Sequence, residues 1–538
     1  MESNKSTVMK FWRRGDPFIW LTGGALALCL AMIAGLVGII VYNGAGVFWP
    51  QDLTLLRLKD GPPIMGKLVD RQSIPGAAGR YRVQLKVGNR DAYGQDFRWV
   101  DEDAIAERET PAEAVVFERV EWGDMHGFIA ALYEEERLLT KGEGVWEALQ
   151  EVMDQVGELG ERIHALERGE LGKLNRAIDD LRLQERRLQR EQNDAQLAAN
   201  EVRRQALWDE HEALSGRLDE LRAEQERWEV EVALAGGETR RVGVAAIVRA
   251  YRPNLMGFWA KVQTYLSKGW EFVAGEPRES NTEGGIFPAL FGTVMMVMLM
   301  SLAAVPFGVL AALYLREYAR QGFLVRLVRI AVNNLAGVPS IVFGMFGLGF
   351  FVYGIGGSID QLFYADALPT PTYGTGGILW ASLTLALLTV PVVIVATEES
   401  LAAVPREMRE GALALGATKF QMIWSVVLPS ALPGILTGVI LATARGAGEV
   451  APLMITGVVK LAPDLPLDAF APFFHLERKF MHLGFHIYDV GFQSPNVEAA
   501  RPMVYTTALL LLTIVLLLNL TAIVVRNKLR KKYASAAF

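Results

Sequence analysis

The chain has 538 residues, of which 51% are hydrophobic and 21% are charged, and its formal net charge is −6. So small a net charge gives no indication of a nucleic-acid partner, and high hydrophobicity combined with many charges predicts apolar membrane spans separated by polar segments. The single cysteine, Cys29, excludes an intramolecular disulfide, so any part outside the membrane must be held together by packing alone.

Six apolar stretches are long enough to cross a bilayer as helices, because each residue adds ~1.5 Å and the hydrocarbon layer is ~30 Å thick. They are residues 18–42, 286–315, 330–356, 376–397, 426–447 and 503–525. The first stretch follows basic residues but is longer than the apolar core of a signal peptide. We therefore expect a retained transmembrane helix, with residues 1–43 forming a cytoplasmic N-terminus and the first span, and lipid as a partner.

Basic residues flank the spans on one side of the membrane. They are Lys5, Lys10, Arg13, Arg14, Arg316, Arg320, Arg326, Arg329, Arg406, Arg409, Lys419, Arg526, Lys528, Arg530, Lys531 and Lys532. The loop from 355 to 375 has no lysine or arginine. The positive-inside rule then predicts that both termini, including the tail 531–538, are cytoplasmic and that residues 44–283 are periplasmic.

The first part of the predicted periplasmic segment, residues 44–128, has the pattern of a small β unit. Short alternating stretches are separated by turn signals such as Asp60-Gly61 and Gly88-Asn89. The strand candidates are Leu53–Leu58, Ile64–Val69, Tyr81–Val87 and Phe97–Val100. Residues 231–283 are predicted to return to the membrane, with strands between Val230 and Val248 that complete this unit.

Residues 129–230 contain apolar heptads with charged flanks, which indicate a coiled coil. One series includes Leu174, Leu181 and Leu188, and a second series that begins at Leu207 is out of phase with it. We predict a helical hairpin whose turn lies at the phase break, 203–206, or among the glycines at 157–172. The hairpin is either a docking arm for another extracytoplasmic subunit or a self-packed spacer.

The loop 398–429, between the fourth and fifth spans, carries a spaced motif. It reads Glu410-Gly411-Ala412, three residues, Gly416, nine residues, then Val426-Val427-Leu428-Pro429. It resembles the cytoplasmic EAA loop of ABC importer permeases, E-A-A, three residues, G, nine residues, I-x-L-P, with Gly411 and Val426 as substitutions. The resemblance implies a helix–turn–helix wedged into a separate ATPase subunit, with Glu410 as charged anchor and Gly416 allowing a sharp turn.

The same loop has P-loop spacing from Gly411 to Gly416 and Thr418, but Ala417 stands where the phosphate-binding lysine must be. We therefore expect no nucleotide site and no cofactor on this chain. The chain is predicted to be a transport subunit rather than an enzyme, with ATP hydrolysis on another subunit.

Two further segments narrow the resemblance. Gly337-Val338-Pro339-Ser340-Ile341-Val342 resembles the GVPSIVxG signature, and the segment from Ala444 to Leu453 resembles ARxxGETAPL with Val450 in place of threonine. Residues 284–530 thus resemble the PstA-type permease of phosphate ABC importers. The resemblance does not extend to residues 43–283.

The family implies a mainly α, polytopic fold: six transmembrane helices of the type I ABC importer permease, here with an extracytoplasmic insertion that holds a small β unit and a coiled-coil hairpin. It also implies four partners: a PstB-type ATPase dimer, a second permease of PstC type, a PstS-type periplasmic binding protein and inorganic phosphate.

Arg445 lies in an apolar span, where a charge is costly and marks a transport pathway, and Glu449 lies one helical turn away. The pair either contacts the anion or locks the span as a structural ion pair. Gly337, Pro339 and Ser340 predict a break in the third span, which is either an anion-facing helix end or a packing kink.

Two alternative functions stay open, and the last loop before the sixth span contains three histidines. His475, His482 and His486 lack cysteine or carboxylate partners in the sequence pattern, so we expect no metal site there, and Phe485 to Pro495 resembles a loop that faces the binding protein. The substrate could instead be another oxyanion, such as sulfate, molybdate or tungstate. The chain could also be a membrane-anchored coiled-coil scaffold for phosphate-starvation signalling.

Overall fold

The computed structural model describes residues 15–76, 79–494 and 497–534. The four basic residues predicted before the first span, Pro495 and the last four residues of the predicted tail lie outside these ranges. The helices are α1 Asp16–Ala45, α2 Arg90–Tyr93, α3 Val145–Ala165, α4 Gly172–Glu191, α5 Asp194–Gln225, α6 Phe258–Ala274, α7 Phe287–Leu313, α8 Phe323–Leu335, α9 Ser340–Phe346, α10 Gly357–Phe363, α11 Ile378–Ala402, α12 Arg406–Ala414, α13 Lys419–Met422, α14 Leu428–Gly448, α15 Ala451–Thr456, α16 Leu483–Tyr488 and α17 Val497–Ala534.

Within the described ranges, all the strands lie between the first two membrane helices. They are β1 Leu53–Leu58, β2 Ile64–Ser73, β3 Tyr81–Lys86, β4 Phe97–Asp101, β5 Ile105–Glu109, β6 Val115–Arg119, β7 Met125–Glu134, β8 Arg137–Lys141, β9 Trp228–Ala233, β10 Thr239–Gly243, β11 Ile247–Tyr251, β12 Pro277–Arg278 and β13 Glu283–Gly284. We call residues 46–286 the insertion, and the membrane face that carries it the insertion side.

The described chain contains six helical stretches that are long and apolar enough to cross a membrane, which confirms the predicted number. They are TM1 Phe18–Ala45, TM2 Phe287–Tyr318, TM3 Ser340–Phe363, TM4 Ile378–Ala402, TM5 Lys419–Gly448 and TM6 Val497–Lys528. TM4 is central, since 67% of its most apolar stretch is buried, against 0% for TM1 and TM6. The outer helices therefore present their side chains to lipid or to another subunit.

The third predicted span, 330–356, has the wrong boundaries. Helix α8 ends at Leu335 and α9 starts at Ser340, so the crossing stretch runs to Phe363 instead. Pro339 explains the break, because a proline disfavours helical conformation in the residue before it and cannot donate a backbone hydrogen bond. Similarly, TM5 begins at Lys419, before the predicted residue 426, because a capping box starts the helix upstream of the apolar run.

The insertion contains the same strand arrangement twice. In the first unit the order is β4-β3-β2-β1-β5, and in the second it is β10-β9-β7-β6-β11, with β8 paired to β7. A short 3-10 turn precedes the last strand of each unit, at Glu102–Ala104 and Val244–Ala246. All the pairings within these sheets are antiparallel. One predicted β unit is therefore two units of equal topology.

The hairpin is inserted between β8 and β9 of the second unit. Because β7 and β8 extend to Lys141, the predicted start of the coiled coil at residue 129 is wrong, and the first helix begins at Val145. Val145 and Leu149 of this helix are buried in one cluster with Phe117, Leu132 and other strand residues. The root of the hairpin is thus part of the core of the second unit.

The two arms of the hairpin run antiparallel, with α3 and α4 against α5. Ion pairs connect Arg222 to Glu167 at 2.6 Å and Arg204 to Glu185 at 3.2 Å. The turn lies at Gln192, whose φ is +53°, followed by an Asn193 cap on α5, so both predicted turn positions are wrong. The glycines at 157–172 do not form the turn, since this segment lies within a continuous helical arm.

The first arm of the hairpin lies on loops of the membrane domain at the insertion side. Arg190 pairs with Asp366 at 2.6 Å, and the Arg186 guanidinium donates to the carbonyl oxygens of residues 366, 367 and 368 at 3.2–3.4 Å. Arg176 lies 3.3 Å from Asp468 and 3.5 Å from the Phe470 ring centroid. The arm thereby connects the TM3–TM4 loop with the TM5–TM6 loop.

Candidate functional site

The EAA-like loop, residues 398–429, is a helix–turn–helix with defined ends. Helix α12 is followed by Gly416 at φ +85°, where the N–H of Ala417 donates to the carbonyl of Ala412 at 3.1 Å. The N–H of Gly416 donates to the carbonyl of Leu413 at 3.0 Å, which completes a Schellman motif. The turn predicted at Gly416 is present, and its left-handed backbone is the reason for glycine there.

The next helix starts at a capping box, which the motif alone did not indicate. The hydroxyl of Thr418 accepts from the N–H of Gln421, and the side chain of Gln421 accepts from the N–H of Thr418. Leu428 and Pro429 follow within TM5, with Leu428 packed against buried residues of the loop core and Pro429 in the first turn of α14. Two adjacent capping motifs therefore fix the angle between α12 and TM5.

The outer surface of this loop is exposed and contains several large apolar side chains. Glu410 and Gly411 are exposed on α12, and Leu415 is 90% exposed. Leu413, Phe420 and Trp424 are exposed as well. Single exposed apolar residues are ordinary, but several large ones close together in one short segment are unusual, so this surface has the composition of a docking site for another protein.

Two ion pairs hold the loop and α8 to the membrane helices. Arg409 pairs with Glu317 at the end of TM2 at 3.1 Å and donates to the carbonyl of Leu401 at 2.6 Å. Arg329 of α8 pairs with Glu398 of TM4 at 3.0 Å. From the sequence, both arginines were indicated only as charges that flank the spans, although Arg409 adjoins the motif residue Glu410. A displacement of α12 would therefore act directly on TM2.

TM5 ends in the interior of the membrane domain, at a polar pair. Glu449 leaves the helical conformation directly after Gly448, and its carboxylate lies 3.5 Å from Nε of Arg445. Gly446 packs so closely against Met300 and Thr389 that a Cβ there would collide with Met300. Met300 and Thr389 lie near the middle of TM2 and TM4, so the neighbouring Arg445–Glu449 pair lies near the middle of the membrane domain.

The start of TM3 lies close to the segment that contains the Arg445–Glu449 pair. Val338 packs on the cluster that contains Ala447 and Leu453, and Gly344 lies directly against the backbone of Pro452. Gly337 and Pro339 are exposed and Ser340 is half-buried at the first turn of α9. The breaks of TM3 and TM5, which the sequence placed on separate spans, are therefore neighbours in the fold.

The three histidines of the loop between TM5 and TM6 have separate environments. His482 accepts from the N–H of Gly484 and caps α16, and His486 is bonded to the carbonyl of Asn281. Burial lowers the pKa of His482 to about 3 and that of His486 to about 4. His475 lies between Asp468 and Glu477. In the described ranges, no cluster of three or more metal-binding side chains is found.

A buried charge cluster joins the first β unit to the start of TM2. Asp124 pairs with Lys67 at 2.7 Å and Lys86 at 3.3 Å, and despite burial these lysines hold its pKa well below the usual range. The neighbouring Glu283 lies just before TM2, and burial raises the pKa of its carboxyl to about 7. Lys86 and Arg278 oppose this increase, while Asp124 and Glu279 add to it.

Comparison with known proteins gives a family for the membrane domain. Residues 304–533 match the family model described as the inner membrane component of binding-protein-dependent transport systems. The phosphate transport system permease protein PstA 1 of Mycobacterium tuberculosis is 35% identical over 244 residues, covering 45% of this chain and 71% of the relative. The chain belongs to this family of transport permeases.

Further comparisons give similar proteins for this permease. A probable phosphate transport system permease protein PstA of Methanocaldococcus jannaschii is 34% identical over 205 residues, covering 38% of this chain and 65% of the relative. Among solved structures, the MetNI methionine ABC transporter aligns at 18% identity with a TM-score of 0.34, over 45% of this chain and 94% of that chain. The family match begins within TM2, so the insertion lies outside it.

The family makes this chain a multi-pass inner-membrane transport component. A permease of a binding-protein-dependent system works with an ATPase and a substrate-binding protein, so both are partners of this chain at the level of the family. The exposed surface of the EAA-like loop and the insertion side are on opposite ends of the membrane helices, which leaves room for one partner at each end.

Proposed function

We propose that this permease translocates inorganic phosphate as part of an ATP-driven importer. The observation that carries the proposal is the Arg445–Glu449 pair at the interior break of TM5, beside the break of TM3. Relatives named phosphate transport permeases, at 34–35% identity, support phosphate as the substrate. Interrupted membrane helices near the middle of the bilayer commonly form the substrate sites of transporters.

Arg445 has the chemistry for a phosphate oxyanion. Its guanidinium is permanently charged and offers a planar fork of N–H donors to an oxyanion. The Arg445 side chain is 36% exposed and the Glu449 side chain 20%, so the pair is accessible rather than sealed in the core. We propose that phosphate competes with Glu449 for this guanidinium, with Gly337, Pro339 and Ser340 shaping the neighbouring wall.

The EAA-like loop is proposed to dock on the ATPase. Glu410, Gly411, Ala412 and Gly416 form the inserted part, and Leu428 and Pro429 connect it to TM5. The surface is exposed in this chain, and its apolar side chains are suited to a partner cleft. We assign a PstB-type ATPase dimer to this site, with ATP hydrolysis there, and a second permease of PstC type as the neighbour.

The proposed orientation follows from these partners. The loop that contacts the ATPase is cytoplasmic, so both termini are cytoplasmic and residues 44–283 are periplasmic. A PstS-type phosphate-binding protein then delivers phosphate at the insertion side. A cysteine introduced at exposed Leu415 tests this arrangement: modification by a membrane-impermeant maleimide added outside spheroplasts would refute it.

The hairpin is proposed to brace the periplasmic loops. The sequence left open a docking arm for another subunit and a self-packed spacer, and the contacts of Arg176, Arg186 and Arg190 support a third role, an arm that packs on loops of its own permease. Deletion of residues 145–225 with a short linker separates the alternatives. Loss of uptake supports the brace, whereas intact uptake with an altered starvation response supports the signalling scaffold.

The central experiment is radiolabelled phosphate uptake in a strain that lacks this chain. Arg445→Gln should abolish uptake while membrane insertion persists, and Arg326→Gln, at an exposed position on α8, should leave uptake unchanged as the matched control. Uptake of labelled sulfate or molybdate with unchanged phosphate uptake would identify another oxyanion instead. Wild-type uptake by the Arg445 variant would leave the pair with a structural role only.

A further inference from the structure

Helix α6, Phe258–Ala274, is attached to the ends of two membrane helices. The hydroxyl of Tyr265 donates to the carbonyl of Ala45, the last residue of TM1, at 2.9 Å. At the other end, the N–H of Ile286, next to the start of TM2, donates to the carbonyl of Phe272 at 2.7 Å. Both contacts place α6 at the level where the chain leaves and re-enters the membrane on the insertion side.

Aromatic contacts strengthen this attachment. The ring centroid of Trp49, which follows TM1, lies 6.0 Å from that of Phe258 and 6.1 Å from that of Tyr265. The rings of Phe48 and Phe272 are 5.3 Å apart. The helix is therefore packed along its length against the segment that emerges from TM1, and its height above the membrane domain is determined by that segment.

The charged side chains of α6 point to the β units. Lys261 pairs with Asp52 at 2.6 Å. Lys268 pairs with Glu118 and lies 2.9 Å from the hydroxyl of Tyr251, and it is only 12% exposed. On the same side, Glu271 pairs with arginines 249 and 278 at 2.8 and 2.9 Å. The charges of the helix are thus satisfied within the chain.

The opposite face carries large apolar residues that no described part of the chain covers. Trp259 is 79% exposed, Leu266 64% and Trp270 72%. The exposure of residues in TM1, such as Trp20 at 77%, is similar. Gln263 and Ser267 share this stripe, as their spacing of three to four residues from the apolar ones requires.

We propose that α6 is an interfacial helix whose Trp259–Leu266–Trp270 face lies in the headgroup layer of the bilayer on the insertion side. Its position between TM1 and TM2 places this face against lipid, and tryptophan is enriched at that depth. Polar Gln263 and Ser267 suit the headgroup layer better than hydrocarbon. Because the exposed stripe has no charged side chain, binding does not require anionic lipid.

This inference is independent of the transported substrate. The face that meets lipid is opposite to the face that is ion-paired to the β units, so α6 sets the height of the insertion above the membrane. The hairpin, which is rooted in the second β unit, is then held at the level of the two loops that its arginines contact.

Spin-label accessibility in the full transporter, reconstituted in phosphatidylcholine nanodiscs, tests the proposal. With Cys29 replaced by alanine, single cysteines are introduced as Leu266→Cys and Trp270→Cys, with Leu26→Cys in TM1 and Asp219→Cys on the hairpin as lipid and water references. We expect the α6 labels to favour contact with oxygen over a water-soluble nickel chelate, as at the lipid reference.

Three results would contradict the proposal. Accessibility at both α6 sites equal to that of the hairpin reference would place the face in water. Low accessibility to both reagents would indicate that a protein partner covers the face instead of lipid. Adding anionic phosphatidylglycerol to the bilayer should leave the result unchanged, because the exposed stripe has no charged side chain for an anionic surface to attract. A label that reaches lipid only in its presence would contradict a neutral interface.

Discussion

Replacing Gly416 with alanine isolates the backbone requirement of the EAA-like loop. Gly416 has φ of +85°, and no neighbouring atom lies within 4 Å of a Cβ built there. The cost of the substitution is therefore conformational and not steric contact with other residues. The left-handed conformation costs a residue with a Cβ ~1–2 kcal/mol, and such a penalty reduces the population of the native turn by about 5- to 30-fold.

Gly411 provides the matched control within the same helix–turn–helix. A Cβ at Gly411 also meets nothing within 4 Å, but its backbone is helical. Gly411→Ala should stabilise α12 by ~1 kcal/mol, since glycine is a poor helix residue. Gly416→Asn should lie between wild type and Gly416→Ala, because asparagine tolerates the left-handed region better than alanine.

The assay is phosphate transport per ATP hydrolysed by the assembled transporter in proteoliposomes. We expect Gly416→Ala to lower transport several-fold and to lower the ratio of phosphate to ATP, while Gly411→Ala keeps both. Wild-type transport by Gly416→Ala would refute a backbone requirement at this turn, and so would an equal loss of activity in the Gly411 variant.

Four further expectations can be measured on the purified chain or transporter. Asp360→Ala should lower the free energy of unfolding by ~2–4 kcal/mol, because this carboxylate is only 1% exposed and accepts hydrogen bonds from two backbone N–H groups of the following loop. A thermal unfolding temperature equal to that of the wild type in detergent would contradict this. A double-mutant cycle of Arg409→Met and Glu317→Gln should give a coupling of ~1–3 kcal/mol, and additive effects would show that the pair is not coupled. Glu283 has a folded pKa of about 7, above its unfolded value of 4.5, so its contribution to stability is present below pH 4.5 and is lost as the pH rises to 7. The wild type should therefore lose stability relative to Glu283→Gln between these pH values. Parallel pH profiles of the two proteins would refute this. Arg190→Ala should cost at most ~1 kcal/mol and less in high salt, since its pair with the TM3–TM4 loop is exposed; a larger, salt-independent loss would argue for a different role.

The spans could be predicted well because their signal is local. A run of apolar residues that is long enough to cross the bilayer must be helical there, whatever its neighbours, since no water is available to the backbone. The apolar run did not give the boundaries of TM3, because Pro339 breaks the helix inside that run. The start of TM5 depended on the capping box of Thr418, which lies outside the apolar run.

The insertion was harder to predict because its pattern is shared by more than one fold. The alternation of apolar and polar residues indicated strands such as Leu53–Leu58. The second β unit, however, is interrupted by the hairpin, so its strands β7 and β9 pair across about a hundred residues of sequence. No local pattern determines such a pairing. The hairpin turn at Gln192 was also missed, since its left-handed residue is not a glycine.

The sequence by itself determined the number of spans and the turn at Gly416, because hydrophobic length and glycine backbone freedom act within a few residues. Only the tertiary structure decided that the breaks of TM3 and TM5 meet, that Arg409 ties the loop to TM2, and that the hairpin rests on two membrane loops. These contacts join residues far apart in the chain, so they depend on how whole helices pack rather than on any single segment.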